Sequence, residues 1–431
     1  MISSTVLIHI DALRRDYCAN WALAKNFEDL GYKVILSSRS STHRLLKFFT
    51  PDIVILSHVF TLSESELASL HMRGARIFSN EVEGEIEGNE IGISGTYPRK
   101  IAYQYFEKIF TWSKWSAEWL VRERQMDPAR VCAVGSIRLG LLKMNRPHTK
   151  GKKIGILSRF ELINTFDARH PFENLMEMDI HDVRGRTYLN RAIIEMEGFS
   201  ITCRVIESLV HQGIEVSIRP HPNENIIAYK LLKKRYGSLL EVNSSADYSE
   251  WLQTLTAVVG TLSSAYTEPF LLGIPIISID ALQENSYQSY HLKPFIETFS
   301  QACYLPKDLA ALLSLCADPK LEPIKNFDLQ QKLSAIYYLD NSKNPIINIV
   351  EEVKPTGRTI SRLSGIFIRQ AKILLDFMTI VICILRKNPK LAFQKHLIYD
   401  YNSLLHRPSS FMMTSREFGQ GGVKRVRVTR P

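Results

Sequence analysis

The sequence lacks the features that define several large classes of protein. Its six cysteines are scattered, with no C-x-x-C spacing, so we expect neither a disulfide framework nor a zinc site, and the thiols are interpreted as buried groups in a reducing compartment. No Asp-x-Asp pair occurs, and no recognisable nucleic-acid-binding module is present. The first apolar run, Val6–Ile10, is too short for the core of a signal peptide and is followed at once by Asp11.

Short apolar runs rich in β-branched residues alternate with helix-like segments instead. With 431 residues, 45% of them apolar, the chain has room for two domains of ordinary size and an appendage. Alternation of strands and helices is typical of a doubly wound parallel sheet. In the first half of the chain the predicted strands are Val6–Ile10, Val34–Ser38, Asp52–Ser57, Arg76–Ser79 and Lys108–Trp112.

The polar motif Arg219-Pro220-His221-Pro222-Asn223-Glu224 directly follows the short strand-like run Ile214–Ile218. Ligands of open α/β sheets bind outside the carboxyl ends of the strands, which is where this motif is expected to lie. The prolines on both sides hold the backbone of His221 extended, and its imidazole can donate to a phosphate. The motif therefore predicts a phosphate-facing site that includes Arg219, His221 and Pro222.

A second element follows about forty residues later, where the strand-like run Ala257–Gly260 leads into hydroxyl residues. Ser263 and Ser264 are expected to begin a helix, whose free N–H groups and positive dipole end suit an anion. Glu268, one turn further on, could accept hydrogen bonds from both hydroxyls of a ribose. Either element alone occurs by chance, and Ser before a helix is often only an N-cap. Together they indicate a nucleotide site.

At these residues the chain resembles the bacterial surface-polysaccharide glycosyltransferases of the GT-B type, and within them the Kdo, sialyl and other nonulosonate transferases. The resemblance rests on His221-Pro222, Ser263-Ser264 and Glu81-Val82-Glu83-Gly84, and covers roughly residues 1–350. It implies an α/β fold with two facing Rossmann-like domains, in which the first two motifs bind the donor phosphate and the acidic motif supplies the base. Glycerophosphate polymerases share the Arg-Pro-His-Pro element.

The acidic segment Asn80–Glu90 holds five carboxylates after the predicted fourth strand. As an ordinary surface loop it would be solvated charge. As a site, crowding by neighbouring carboxylates would raise a glutamate's pKa, which suits a general base for a sugar hydroxyl. Glu83 is the first choice for this role, and Glu81 and Glu87 are the alternatives.

Other polar residues are expected near the cleft between the two predicted domains. Arg138, in Val134–Gly140, and the pair Ser158 and Arg159 are candidates to bind an acidic acceptor or a phosphate, although strand-end salt bridges explain them equally well. His9 and Asp11, at the end of the first strand, are candidates for the acceptor side.

The last segment of the chain carries the excess of positive charge. Residues 353–431 contain 15 Lys or Arg and only 3 acids, a net charge of +12, whereas the whole chain has +10 and residues 1–352 are therefore close to neutral at −2. Apolar residues recur at helical spacing in this segment, but the run is shorter than the ~20 residues that a membrane span needs. The pattern favours a basic amphipathic helix on an anionic membrane surface; a helix packed on the enzyme's own core is the alternative.

The sequence thus predicts an N-terminal acceptor domain at 1–145, a nucleotide-donor domain at 152–350 and a membrane-associating helical tail at 353–431. The expected activity is transfer of a sugar from a nucleotide-activated donor to a growing glycan or lipid-linked glycan, without metal or other cofactor, at the inner face of the plasma membrane. Nucleic acid is not expected as a partner. A polyol-phosphate transferase and a non-catalytic scaffold of polysaccharide assembly are the alternatives.

Overall fold

The computed structural model describes residues 4–84, 88–144, 151–165, 170–171, 173, 183–245, 247–284, 297–336 and 344–353. The chain divides into two compact units, Met1–Arg146 with Lys332–Pro431, and Pro147–Gln331. Each unit contains one sheet in which every strand pair is parallel. The predicted pair of Rossmann-like α/β domains is therefore confirmed.

The first unit is built on a six-stranded sheet with the strand order β2-β1-β3-β4-β5-β6. Its strands are β1 Thr5–Ile10, β2 Lys33–Ser38, β3 Ile53–Leu56, β4 Arg76–Asn80, β5 Phe106–Thr111 and β6 Val131–Ala133. The six residues of β1 and the four of β3 are all buried, because helices cover both faces of a parallel sheet and leave no strand side chain in water. Burial on both faces explains why these strands appear in the sequence as near-continuous apolar runs.

Helices lie between successive strands of the first unit: α1 Leu13–Asp29, α2 Arg39–Phe48, α3 Glu64–Met72, α4 Glu90–Thr96 and α5 Lys114–Arg124; α6 Ile137–Met144 follows β6. One face of the sheet packs against a core that includes Leu46, Leu67, Leu70, Trp119 and Leu120. Helix α3 begins with a capping box, in which Ser63 and Glu66 each accept from the other's backbone N–H, so its start is fixed locally by sequence.

The second unit has a five-stranded sheet with the order β11-β10-β7-β8-β9. Its strands are β7 Lys153–Leu157, β8 Val216–Arg219, β9 Leu240–Val242, β10 Leu255–Gly260 and β11 Ile276–Ser278. Its helices, some short, are α7 Val183–His211, α8 Ile226–Tyr236, α9 Tyr248–Leu252, α10 Thr267–Leu271, α11 Leu309–Ala317 and α12 Phe327–Ile336.

Both sheets reverse the direction of strand addition once, and ligands of such sheets bind at that point, outside the carboxyl ends of the strands. In the first unit the reversal lies between β1 and β3, and in the second between β7 and β10. The residues just after these strands are His58 and Asp11 in the first unit and Ser158, Arg159 and Thr261 in the second. The strand order therefore marks two candidate crevices, one in each unit.

The last described helix, α13 Pro345–Glu352, packs against α1 and α6 of the first unit. Asn344 caps it and donates to the carbonyl of Gly140, and Lys108 pairs with Glu352. The compact units therefore differ from the predicted division near residue 350, because the chain returns to the first unit after Gln331.

The predicted helix at Ser263 is not continuous. A single 3₁₀ turn, Ser264–Tyr266, comes first, and the five-residue helix α10 follows it. Arg138 lies in α6 rather than at a strand end, since β6 stops at Ala133.

The basic tail after residue 353 and Glu87 lie outside the described residues. Among the helices that the structure describes, none is long and apolar enough to cross a bilayer.

Candidate functional site

In the first unit, a group of charged side chains gathers at the carboxyl ends of β1, β3 and β4: Asp11, Arg15, His58, Glu81 and Glu83, here called the acidic cluster. His58 lies at its centre. The Nδ1 of its imidazole is 2.8 Å from Glu81 Oε1, and its Nε2 is 3.7 Å from Asp11 Oδ2. One ring thus connects two carboxylates that are seventy residues apart in sequence.

The charge state of His58 follows from these partners. Its side chain is only 6% exposed; burial disfavours the charged ring, but the charge of Glu81 and the hydrogen bonds to Asp11 and Glu81 outweigh it and raise the pKa of His58 to about 10. The pKa of Asp11 is lowered, since His58 and Arg15 more than offset the effect of its burial. His58 is therefore an imidazolium at neutral pH, held between Glu81 and the ionised Asp11.

Arg15 neutralises the other side of the acidic cluster. Projecting from α1, it pairs with Asp11 at 3.2 Å, with Asp16 at 2.8 Å, and with Glu83. The expected rise in the pKa of Glu83 is wrong for this reason: partial desolvation by the neighbouring groups raises it, but the charges of Arg15 and His58 lower it more, and the pKa of Glu83 falls below its usual range. Two cations from distant elements outweigh the crowding of carboxylates.

Glu81 and Glu83 have different surroundings although they are two residues apart. Glu81 is 1% exposed, and its Oε1 also accepts from the backbone N–H groups of Val82 and Glu83. The side chain of Glu83 is 59% exposed. Glu81 therefore fixes the loop and His58, whereas the carboxylate of Glu83 is open to solvent.

The indole of Trp112 holds the same loop from β5. Its Nε1 donates to the carbonyl of Glu81 at 2.7 Å, and its ring lies against Gly84, where an added Cβ would come within 2.0 Å of the ring carbon Cε3. The side chain of Arg138 extends over the other part of this ring, 5.7 Å from its centroid. Glycine at position 84 is thus required by close packing.

We expect Gly84→Ala to lower the free energy of unfolding by about 1–3 kcal/mol, because the added methyl overpacks against Trp112. Urea denaturation measures this change. Gly95→Ala, in α4, is the matched control, since a Cβ there meets nothing within 4 Å and alanine favours a helix. Equal stability of the two variants would contradict this packing.

Asp11, His58 and Glu83 can also bring ligand atoms within 4.8 Å of one another, a spacing compatible with a metal ion. The cluster already contains the guanidinium of Arg15 and the protonated ring of His58, and a metal would have to displace both charges. His9, the other histidine at this edge, exchanges hydrogen bonds with Ser57: the Ser57 hydroxyl donates to its carbonyl at 2.8 Å, and its Nδ1 lies 3.0 Å from that hydroxyl. His9 therefore links β1 to β3.

In the second unit, the motif that follows β8 is organised around Glu224. This carboxylate is fully buried and accepts from Phe160 N at 2.8 Å, from the Ser158 hydroxyl at 3.0 Å, from His221 N at 3.3 Å and from the Tyr229 hydroxyl. Burial raises the pKa of Glu224 to about 7, against the effect of these donors. Glu224 thereby ties the loop after β7 to the loop after β8.

His221 lies at the surface of this network with its side chain 35% exposed. Its Nδ1 is 3.2 Å from Glu161 Oε2, and Glu161 is held in turn by Arg191 of α7 and by the side-chain amide of Asn223 at 3.1 Å. Because the backbone N–H of His221 is directed at Glu224 and Ser158, the imidazole is the group of this residue that can meet a ligand.

The guanidinium of Arg219 is bound by other groups of the protein. It donates to Asn243 Oδ1 and, at 2.9 Å, to the carbonyl of Ser245, and it stacks on Tyr248 and Trp251. Pro222 follows His221 in the same loop and is half-buried.

The hydroxyl element lies at the carboxyl end of β10, beside β7. Ser263 caps the 3₁₀ turn by accepting from Ala265 N at 3.3 Å, and Ser264 begins that turn. Glu268, the second residue of α10, is 4% exposed, which leaves little surface for a ribose. The hydroxyl of Ser158 donates to Glu224, and Arg159 interacts electrostatically with the half-buried Asp280.

His58, Arg15, Glu161 and Glu224 are functional candidates that the sequence did not single out. The signal for His58 was present, since His58 follows the predicted strand Asp52–Ser57 just as Asp11 follows Val6–Ile10. No local signal pointed to Glu161 or Arg15, because their partners lie 60 and 68 residues away.

No protein-family model and no curated protein matches this chain. Solved structures that align with it include S. aureus MnaA with UDP, at 13% identity over 81% of this chain and 96% of that one, with a TM-score of 0.47. A putative UDP-N-acetylglucosamine 2-epimerase from Listeria monocytogenes aligns at 14% identity over 83% and 100%, with a TM-score of 0.45. An Arabidopsis thaliana protein complexed with UDP-L-rhamnose aligns at 10% identity over 82% and 99%, also with a TM-score of 0.45. These scores are too low to carry an argument, so the fold is assigned from strand order alone.

Proposed function

We propose that this protein is a glycosyltransferase that uses a nucleotide-activated sugar. The observation that carries the proposal is a cluster of polar side chains at the carboxyl ends of the strands in each of two Rossmann-like units, one with an accessible imidazole after β8 and the other with an accessible carboxylate after β4. An imidazole suits the phosphates of a donor, and a carboxylate suits the hydroxyl of an acceptor. A transfer reaction needs both.

The second unit would bind the donor. His221 is the proposed contact to the phosphate that leaves with the nucleotide, with the hydroxyls of Ser263 and Ser264 proposed beside it. Arg219 and Ser158 support this crevice by holding its loops through Ser245 and Glu224.

The first unit would bind the acceptor. Glu83 is proposed to take the proton of the attacking hydroxyl, since it is the exposed carboxylate of the acidic cluster and is ionised at neutral pH. Glu81, Asp11 and His58 are proposed to keep its loop in place. Negative charge that develops on the departing phosphate would be stabilised by His221.

The identity of donor and acceptor is a finer proposal that rests on the sequence. The resemblance supports a nonulosonate such as Kdo or sialic acid as the sugar and a surface glycan as the acceptor. The basic tail, 353–431, supports a place at an anionic inner-membrane surface.

We expect the wild-type protein to bind one of CMP, CDP, UDP or GDP, and His221→Ala to weaken that binding by about tenfold to a hundredfold, as loss of a charged hydrogen bond to phosphate does. Isothermal titration calorimetry measures both affinities. His211→Ala is the matched control, an exposed histidine at the end of α7 in the same unit. Unchanged affinity in a folded His221→Ala variant would remove the donor site from this loop.

A further inference from the structure

Glu161 is the side chain that faces the imidazole of His221. It follows β7, sixty residues before its partner, and its Oε2 lies 3.2 Å from His221 Nδ1. Burial raises its pKa, but the charges of His221 and Arg191 outweigh burial and lower the pKa of Glu161 to about 2. Glu161 is therefore ionised at neutral pH.

An ionised carboxylate accepts hydrogen bonds and cannot donate them. The proton in the contact between Glu161 and His221 must therefore reside on Nδ1. The backbone N–H of Asn223 is directed at the same Nδ1, at 3.3 Å, and can donate to it only while that nitrogen carries no proton. The ionised Glu161 and this N–H therefore favour opposite protonation states of Nδ1, and the charge of Glu161 favours the protonated one. Nε2 is on the opposite side of the ring.

We infer that Glu161 is a positioning residue that orients the His221 ring and keeps it cationic, so that Nε2–H binds a phosphate as a charged donor. A neutral ring protonated at Nδ1 presents a lone pair at Nε2 and would repel a phosphate oxygen. The cationic ring presents a proton there instead. The inference relies on the proposed function for the identity of the ligand.

Other ionisable groups surround the pair and must be separated from it in any titration. Arg191 from α7 holds Glu161 and, at 3.1 Å, Glu195, and burial raises the pKa of Glu195 to about 7. Glu224, in the loop of His221, has a pKa of about 7 for the same reason. Because these two acids titrate near neutrality, the protonation of His221 has to be observed directly.

The test is an NMR titration of the full-length protein with ¹³C-labelled histidine, in which His221→Ala identifies the His221 resonance. In Glu161→Gln we expect the titration midpoint of His221 to fall by about 1 pH unit, because loss of a neighbouring opposite charge disfavours the charged ring. Glu241→Gln, which removes the carboxylate partner of Lys153 in the same unit, should leave it unchanged. Equal midpoints in wild type and Glu161→Gln would overturn the inference.

A second variant moves the midpoint in the opposite direction. Arg191→Gln removes the cation that competes with His221 for Glu161, and we expect it to raise the midpoint of His221. A lower midpoint of His221 in Arg191→Gln would overturn the inference. This second variant keeps the test decisive if Glu161→Gln does not fold.

Nucleotide affinity is the functional readout. For the nucleotide that the wild-type protein binds, Glu161→Gln should bind as tightly as wild type at pH 5.5 and about tenfold more weakly than wild type at pH 8. At a pH above both midpoints, a midpoint lowered by about one unit leaves about tenfold less of the His221 ring protonated. Affinity that is lowered equally at both pH values would indicate a purely structural role and overturn the inference. A wild-type protein that binds no nucleotide would instead refute the proposed function, while the midpoints still decide the role of Glu161.

Discussion

Replacing Glu83 by Gln is expected to reduce the rate of sugar transfer by about 10² to 10⁴-fold, the range typical of losing a general base. The amide keeps the size of the side chain and its contact with Arg15 but cannot take a proton. Nucleotide binding should be unchanged, because the donor residues belong to the other unit. Steady-state assays of donor turnover and calorimetry of nucleotide binding measure the two quantities separately.

The matched control is Glu64→Gln, an exposed glutamate in the first turn of α3, which should retain the wild-type rate. Because the pKa of Glu83 is lowered, Glu83 itself should cause no loss of activity as the pH falls from 7 to 5. Near-normal turnover in Glu83→Gln, together with loss in Asp11→Asn, would assign the base to Asp11, the other partly exposed carboxylate of the acidic cluster.

The fold was accessible from sequence because parallel strands are buried on both faces. Val6–Ile10 is apolar except at His9, and Ile53–Leu56 is apolar throughout. The structure buries every residue of both runs. Glycine is the residue type favoured just after a helix, and Gly31, which follows the C-cap of α1, adopts a φ of +89° there. These signals are local, so neighbouring residues suffice to recognise them.

The arrangement of the candidate sites was less accessible because its decisive contacts are non-local. The acidic loop showed its carboxylates but not Arg15, which comes from α1 and reverses the expected shift in the pKa of Glu83. Similarly, Arg219 follows a strand as a phosphate ligand would, but Asn243 and Ser245 after β9 bind its guanidinium. Sequence predicted the loops and not the partners that the neighbouring strands bring to them.

The hydroxyl element shows a different limit, which is set by backbone geometry. Ser263 is an N-cap in the structure, as its residue type favours, but the turn that it caps is 3₁₀ and the helix beyond it has five residues. A dipole that could attract a phosphate needs a longer run of aligned peptides. Residue types at the start of a helix do not specify its length.

The imidazolium of His58 should make a large part of the stability of the first unit depend on pH. We expect the free energy of unfolding of the wild-type protein to exceed that of His58→Gln at pH 6, and the difference to shrink by on the order of 3–5 kcal/mol as the pH rises to 10. Glutamine can still donate to Glu81 but carries no charge. Urea denaturation at pH 6, 8 and 10 measures the difference.

The sign follows from the direction of the shift. The pKa of His58 is about 10 in the folded protein and 6.5 for an unperturbed histidine. Below pH 6.5 the ring is protonated in both states, and its interaction with Glu81 and Asp11 contributes fully. Between these two pKa values only the folded state binds the proton, so stability falls as the pH rises and the contribution is lost once the pH passes the folded value. His71→Gln, on the surface of α3, should instead differ from wild type by the same amount at each pH. A stability difference for His58→Gln that stays constant from pH 6 to 10 would mean that the buried ring is neutral, and that Glu81 and Asp11 are held by hydrogen bonds alone.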